Sequence, residues 1–250
     1  MNLILIESPE LRGDRVHLSD ARAEHITAVL KARLGDEIRV GLLNGNRGRA
    51  AVIAIEKGAV ELDCRFDEPA PPPPRVDLLL ALPRPKVMRR LWAQLAAMGV
   101  GRIILTNAWK VEKMYFDSHV LRPEGYRPPL IEGLQQAGDT RLPDVHVFKQ
   151  FKILIEDELD GLFPDGLRLL ARPGEGSSVL DAVPAARSGR VLLAVGPEGG
   201  WIPYEEELLT AHGFLPVSMG TRPLRTDTAC LALLALAHAK QRREAGYHSL

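Results

Sequence analysis

The sequence predicts an α/β protein in which a domain built on a mostly parallel sheet follows a small β-barrel. Three observations carry this. After residue 75, short apolar runs ("VDLLLAL", "RIILT", "LRLLA", "RVLLAV", "FLPVSM") alternate with helical patterns, as strands buried on both faces do. Before residue 71 the pattern is one of short strands with hairpin chemistry. Between them lies "DEPAPPPPR", residues 67–75, whose four consecutive prolines favour an extended segment that continues neither a helix nor a central strand. The expected division is therefore 1–70, a linker at 71–75, and 76–250.

In the first segment, "DARAEHITAVLK" places Ala23, Ile26, Val29 and Leu30 on one helical face, with Ser19 or Asp20 as cap. "DEIRVGLL" and "GRAAVIAI" are strand-like runs joined through Asn44-Gly45-Asn46, and "GAVELDCRF" is a further strand. About 70 residues of short strands suggest a small barrel. In the second segment, "KVMRRLWAQLAAM" repeats Met88, Leu91, Trp92 and Leu95 at helical spacing, and further helical patterns fall at 128–138, 204–212 and 226–243. In the last of these, Leu231, Leu234, Ala235 and His238 form the expected apolar stripe.

Composition is that of an ordinary globular protein, with 46% hydrophobic and 26% charged residues. The 32 basic and 32 acidic side chains cancel, yet not evenly: residues 1–70 carry net −2, 71–150 net +5 and 151–250 net −3. A basic middle suits a phosphate backbone; a solvated mixed surface is the plainer account. The two cysteines, Cys64 and Cys230, have no metal-type spacing and fit a reducing cytoplasm. The start lacks the basic region of a signal peptide. No apolar run nears the roughly 18 residues that cross a bilayer. The histidines at 17, 25, 119, 146, 212, 238 and 248 show no HxxxH or HExxH spacing, so no metal is expected. No serine sits in a nucleophile elbow.

Three loops follow expected strands, where open α/β sheets bind ligands. In "RVLLAVGPEGGWIP" the strand ends at Val195 and a helix starts near Pro203, with Glu205, Glu206 and Glu207 suiting its N-terminus. Gly196, Gly199 and Gly200 let a ligand reach the main chain, or else simply allow a tight turn. The stretch is neither GxGxxG nor a phosphate-binding P-loop. In "SMGTRPLRTDTACLALLALAHAK" a strand is expected to end near Met219, and the loop carries Arg222 and Arg225 before a helix capped by Thr226 or Asp227. Arginine there suits a phosphate or a developing oxyanion; a surface ion pair is the alternative. In "LALPRPKVMRRLW" the cations are Arg84, Lys86, Arg89 and Arg90. With Lys110, Lys113, Arg122, Arg127 and Arg141 they form either a nucleic-acid track or a solvated helix face.

These motifs together resemble the SPOUT-class RNA methyltransferases, and within them the bacterial 16S ribosomal RNA uridine-N3 methyltransferases. The resemblance rests on Gly196–Gly200, then Gly220, then Leu224-Arg225-Thr226-Asp227-Thr228-Ala229. It extends through "HITAVLKARLGDEIRVGLLNG", similar to that family's PUA-like RNA-binding barrel, and through "AAMGVGRIIL" and "EGLQQAGDTRLPDV". Three positions depart from the pattern: Ala97 and Asp227 where glutamate is commoner, and Asp139 where arginine often stands.

The resemblance implies a trefoil-knotted domain, which general topology would never suggest, S-adenosylmethionine as cofactor, a homodimer, and a uridine N3 of the small subunit's 16S ribosomal RNA as target. Leu82, Gly196, Pro197, Glu198, Gly199, Gly200, Met219, Gly220, Leu224 and Thr228 are the expected cofactor-binding positions. Arg84, Lys86, Arg90, Lys113, Arg141 and Arg222 are expected to meet RNA. Arg225 is the expected catalytic cation. Glu198 either orients its loop or accepts a proton. A methyltransferase for another base or ribose, and a non-catalytic RNA-binding assembly factor, are the competing readings.

Overall fold

The computed structural model describes residues 2–174, 176–183 and 189–242. Two compact units are present: Met1–Pro73 with Leu130–Leu142, and Pro74–Pro129 with Pro143–Leu250.

The first unit holds a six-stranded sheet in the order β1-β4-β5-β6-β3-β2. The strands are β1 (Ile4–Ile6), β2 (Leu11–Arg12), β3 (Arg15–Leu18), β4 (Glu37–Leu42), β5 (Arg47–Glu56) and β6 (Ala59–Glu68). All neighbours are antiparallel except β1 and β4. The hairpin expected at Asn44-Gly45-Asn46 forms, with Asn44 at φ 62 and Leu42 N bonded to Asn46 O at 2.8 Å. The sheet bends where β5 is bulged against β6, between Arg47 and Arg49 and between Val52 and Ala54. One face packs a core of Ile4, Ile6, Val16, Leu18, Val40, Val52 and Leu62.

The expected helix is short. α1 (Ala21–Glu24) is capped by Asp20, which accepts from Arg22 N. The chain then enters a π turn over His25–Val29. This wider turn keeps Ala23 and Ile26 inside but swings Val29 and Leu30 out, to 64% and 44% exposed, against the four-residue face expected from a 3.6-residue period. Arg22 anchors the region by bonding Asp20 and Glu10. Its hydrogen bonds hold both carboxyls below their ordinary range, against the opposing effect of burial.

The second unit is built on a parallel six-stranded sheet. Its sheet runs β12-β10-β11-β7-β8-β9, and every pairing is parallel. The strands are β7 (Val76–Ala81), β8 (Val100–Thr106), β9 (Asp144–Phe148), β10 (Leu167–Ala171), β11 (Val191–Val195) and β12 (Phe214–Val217). β12 ends two residues before Met219. The central strands β7 and β11 are buried at every position, which is why they read as apolar runs rather than alternating ones, interrupted in β7 by Asp77, which is buried and paired with Arg190 at 2.6 Å.

The helices are α2 (Pro85–Ala97), α3 (Pro123–Ala137), α4 (Phe151–Ile153), α5 (Leu159–Leu162), α6 (Val179–Ala182), α7 (Pro203–Ala211) and α8 (Thr226–Arg242). α2 buries Met88, Leu91, Trp92 and Leu95 as the spacing predicts, and Trp92 Nε1 donates to Val120 O at 3.0 Å. Removing such a ring costs about 3–5 kcal/mol. α3 starts earlier than expected and carries Pro128 and Pro129 inside. α8 buries Cys230, Leu233, Leu234 and Ala237, so of the expected stripe Leu234 alone is buried: Ala235 is exposed, and Leu231 and His238 are half-buried. The inward face is set by Thr226, itself buried, so the stripe runs on from it at helical spacing. Position 243, the expected end of this helix, and His248 lie outside the described residues.

Candidate functional site

The site lies at the carboxyl edge of the parallel sheet. β7 and β11 are neighbours there, although the chain leaves β7 towards β8 and β9 and returns through β10 on the other side. This reversal opens a crevice between their loops.

After β11, Pro197 and Gly200 close a tight turn, Gly200 N to Pro197 O at 2.8 Å. Gly200 sits at φ +71, a conformation side chains resist. Trp201 is only 7% exposed and packs on Phe151 at a centroid distance of 5.5 Å, so it supports the loop from behind. A Cβ on Gly196 would lie 3.1 Å from its indole ring. Glu205 is 3% exposed and accepts from Ile202 N at 3.0 Å, which fixes the start of α7.

After β12, Gly220 takes φ +109. Gly220 N donates to Ser218 Oγ at 2.9 Å, and Gly174 N donates to Gly220 O at 3.1 Å. The Ser218 hydroxyl donates to Gly174 O. The loops after β10 and β12 are thereby tied together, and Thr226 Oγ1 reaches Gly196 O at 3.5 Å to join the loop after β11.

These three loops enclose a cavity of about 570 Å³. Its walls are main chain at Gly174, Gly196, Pro197, Gly199, Gly200 and Gly220, and apolar at Val195, Met219, Leu224 and Leu233. A Cβ at Gly174, Gly200 or Gly220 would meet no atom within 4 Å, so these glycines leave open volume. Met219 and Leu224 are 37% and 43% exposed, large side chains held at the cavity rather than in the core. Size and lining are those of a small-molecule site.

A second cavity of about 540 Å³ adjoins it, lined by Arg84, Lys86, Val87, Arg90, Glu198, Arg225, Thr226 and Asp227. Glu198 and Thr226 belong to both linings. Here the walls are charges. Asp227 pairs with Arg90 at 3.5 Å and with Arg225 at 3.5 Å, and it also accepts from Thr228 N at 3.0 Å at the start of α8. The Arg225 side chain is nonetheless 69% exposed. The chemistry available is attraction of an anion by fixed cations, beside a volume shaped for a neutral or mixed ligand.

Of the sequence-predicted cofactor positions, Gly196, Pro197, Glu198, Gly199, Gly200, Met219, Gly220 and Leu224 line the first cavity, whereas Leu82 and Thr228 line neither. Leu82 is buried, its N–H on Thr106 O at 2.9 Å. Arg84, Lys86 and Arg90 gather with Arg225 in the second cavity. Arg222 lines the first. Lys113 stands on a 3₁₀ turn, Lys113–Asp117. Arg141 belongs to the first unit, where it donates to Pro71 O at 2.9 Å and to Asn44 O at 3.4 Å. Sequence reasoning missed Arg172 and Gly174, both in the first lining. The signal was present: "ARPGEG" follows the β10 run as glycine-bearing loops follow the other strands. Among the described residues, no cluster of metal-ligating side chains occurs.

Comparison with known proteins agrees with this layout. Residues 70–238 match the family pattern described as an RNA methyltransferase domain, and 18–63 match an RNA methyltransferase PUA domain. The ribosomal RNA small subunit methyltransferase E of Treponema pallidum is 34% identical, over 97% of this chain and 94% of its own. Its Borreliella burgdorferi namesake, numbered 1, is 26% identical, over 96% and 98%. Among solved structures, a Legionella pneumophila methyltransferase with bound SAM aligns at TM-score 0.76 and 22% identity, covering 95% of this chain and 97% of that one. A ribosomal RNA small subunit methyltransferase E from Neisseria gonorrhoeae bound to S-adenosyl methionine aligns at 0.74 and 22%, covering 96% and 97%. At these identities the structures establish a shared fold.

Proposed function

The chain belongs to the RNA methyltransferase family whose members include the ribosomal RNA small subunit methyltransferases E, and we propose that it moves a methyl group from S-adenosylmethionine to N3 of a uridine in 16S ribosomal RNA. The observation that carries the reading is the pair of adjoining cavities, one walled by glycine main chain and the other by cations.

The glycine-walled cavity suits the cofactor. Its open volume at Gly174, Gly200 and Gly220 leaves main-chain groups for the polar parts, and Met219, Leu224 and Leu233 cover apolar surface. When bound there, S-adenosylmethionine supplies an activated methyl group on a sulfonium. Methylation at N3 requires the weakly acidic uracil to lose its proton, leaving negative charge on its carbonyl oxygens. Arg225 stands where it would favour that anion, the role of a preorganised cation. Asp227 pairs with its guanidinium at 3.5 Å. Glu198 takes the N3 proton in this reading, which its exposure and its position in the lining of both cavities support. Arg84, Lys86 and Arg90 meet RNA phosphate, with Lys113, Arg141 and Arg222 as further contacts.

In the same reading the second unit's chain is knotted, the protein acts as a homodimer, and it works in the cytoplasm; no described helix is long and apolar enough to cross a membrane. Sedimentation at micromolar concentration should give a dimer, and a monomer would remove that part of the reading. Mass mapping of ribosomal RNA from cells lacking the protein tests the activity. Loss of one N3-methyluridine from the small subunit is the expected result. Loss of a different mark would reassign the substrate, and no lost mark would make the protein a binder.

A further inference from the structure

Trp109 differs from the other two tryptophans. Trp92 and Trp201 are buried, whereas Trp109 is 80% exposed. Its backbone is nonetheless firmly held. Ala108 to Val111 is a hydrogen-bonded turn, Val111 N to Ala108 O at 3.0 Å, with both end residues buried and Trp109 and Lys110 at the tip. Trp109 N donates to Glu205 Oε1 at 2.7 Å, and the other oxygen of that buried carboxylate holds Ile202. Lys110 Nζ donates to Gly199 O at 2.6 Å. A Cβ on Gly199 would lie 2.7 Å from Lys110 Cδ, so glycine there lets the lysine lie close. The turn is thus bonded to the loop that walls the cofactor cavity, while its indole faces solvent.

We propose that Trp109 is a stacking platform for an unpaired base of the RNA substrate beside the modified uridine. The proposal rests on the ribosomal RNA reading above and assigns it a further residue. An exposed aromatic ring next to cations is how proteins grip splayed bases, because every base offers a π-face and every phosphate a charge. Lys110 and Lys113 supply the cations, in the segment 71–150, whose net charge is +5 in a chain that is neutral as a whole. The turn leaves the carboxyl end of β8, the neighbour of β7, whose own loop supplies Arg84 and Lys86. A second copy of the chain is the rival occupant. Interface cores between copies are depleted in lysine and glutamate, yet the ring is flanked by exposed Lys110, Glu112 and Lys113.

The test compares full-length wild type, Trp109→Ala and Trp109→Phe, with small ribosomal subunits from cells lacking the protein as substrate. Trp109→Ala should raise KM for subunits about tenfold, the order expected for one lost stack. Its affinity for S-adenosylmethionine and its sedimentation should match wild type. Trp109→Phe should recover most of the loss. An unchanged KM in Trp109→Ala overturns the proposal, and so does a shift of that variant to a smaller species, which would place the ring against a second copy. Absence of methyl transfer by the wild type would overturn the ribosomal RNA reading itself, and this proposal with it.

Discussion

The two adjoining cavities share Glu198 and Thr226 and are nearly equal in size, yet they are built from opposite materials. The first is shaped by backbone. Its walls are main-chain groups uncovered by glycine, with Met219 and Leu224 as apolar cover. The second is shaped by side-chain charge, four cations against Glu198 and Asp227. A backbone-walled site is damaged by adding atoms, and a charge-walled site by removing them. The two sites should therefore fail differently, although the same short loops build both.

The largest effect should come from Arg225→Ala. Loss of a cation that favours the developing anion should lower kcat by about 100- to 1,000-fold, read by methyl incorporation into small subunits. If the two cavities exchanged roles, this variant would fail in cofactor binding instead. Next comes Gly196→Val, whose side chain would be driven into the Trp201 ring. Its S-adenosylmethionine Kd should rise by about tenfold or more, on the scale of overpacking in a rigid wall, with binding to subunits little changed. Gly199→Val should do less than Gly196→Val, because its obstruction is the far end of Lys110, which can swing away.

Removing Arg84 or Lys86 sharpens the contrast further. Each loss should weaken subunit binding a few-fold and flatten its logarithmic salt dependence by about 0.7 to 0.9. Cofactor affinity should not respond to either. Salt-independent weakening would mean that these side chains support structure rather than meet phosphate.

The smallest effect concerns the two cysteines, which fall one to each unit. Burial pushes the Cys64 thiol up to about 12 and raises that of Cys230 as well. A raised thiol contributes stability that is complete below the unfolded value, about 8.5. The contribution declines as pH rises from there towards the folded value. Both thiols should resist alkylation at pH 7.5 and become reactive under alkaline conditions. In the cavity variants, labelling of Cys230 alone would report a disturbed second unit. Unchanged protection would confirm that a lost function is local.

Much of this was legible from residues. β7 and β11 read as mostly apolar runs because every position is buried, and the loops after β11 and β12 stand out because glycine and arginine follow such strands. The helical face of α2 was legible from Met88, Leu91, Trp92 and Leu95. Other features depended on geometry that no local pattern encodes. The π turn after α1 breaks the helical period on which Val29 and Leu30 share a face with Ala23 and Ile26. β9 lacks a distinct apolar run, since it lies at the sheet edge and none of its residues is buried. Nothing local marks 130–142 as part of the first unit; Thr140 Oγ1 on Gly45 O at 2.7 Å and Gln135 O accepting from Leu3 N at 3.1 Å bring it there. The charged lining of the second cavity was likewise invisible, because it brings Arg90 to Asp227 from more than 130 residues away.

The division of labour between backbone and charge is most directly tested by calorimetric titration of S-adenosylmethionine into folded Arg225→Ala protein. A dissociation constant within about twofold of wild type, in a variant that has lost methyl transfer, is the predicted result. Loss of cofactor binding in that variant would place Arg225 in the wall of the cofactor site and contradict the account.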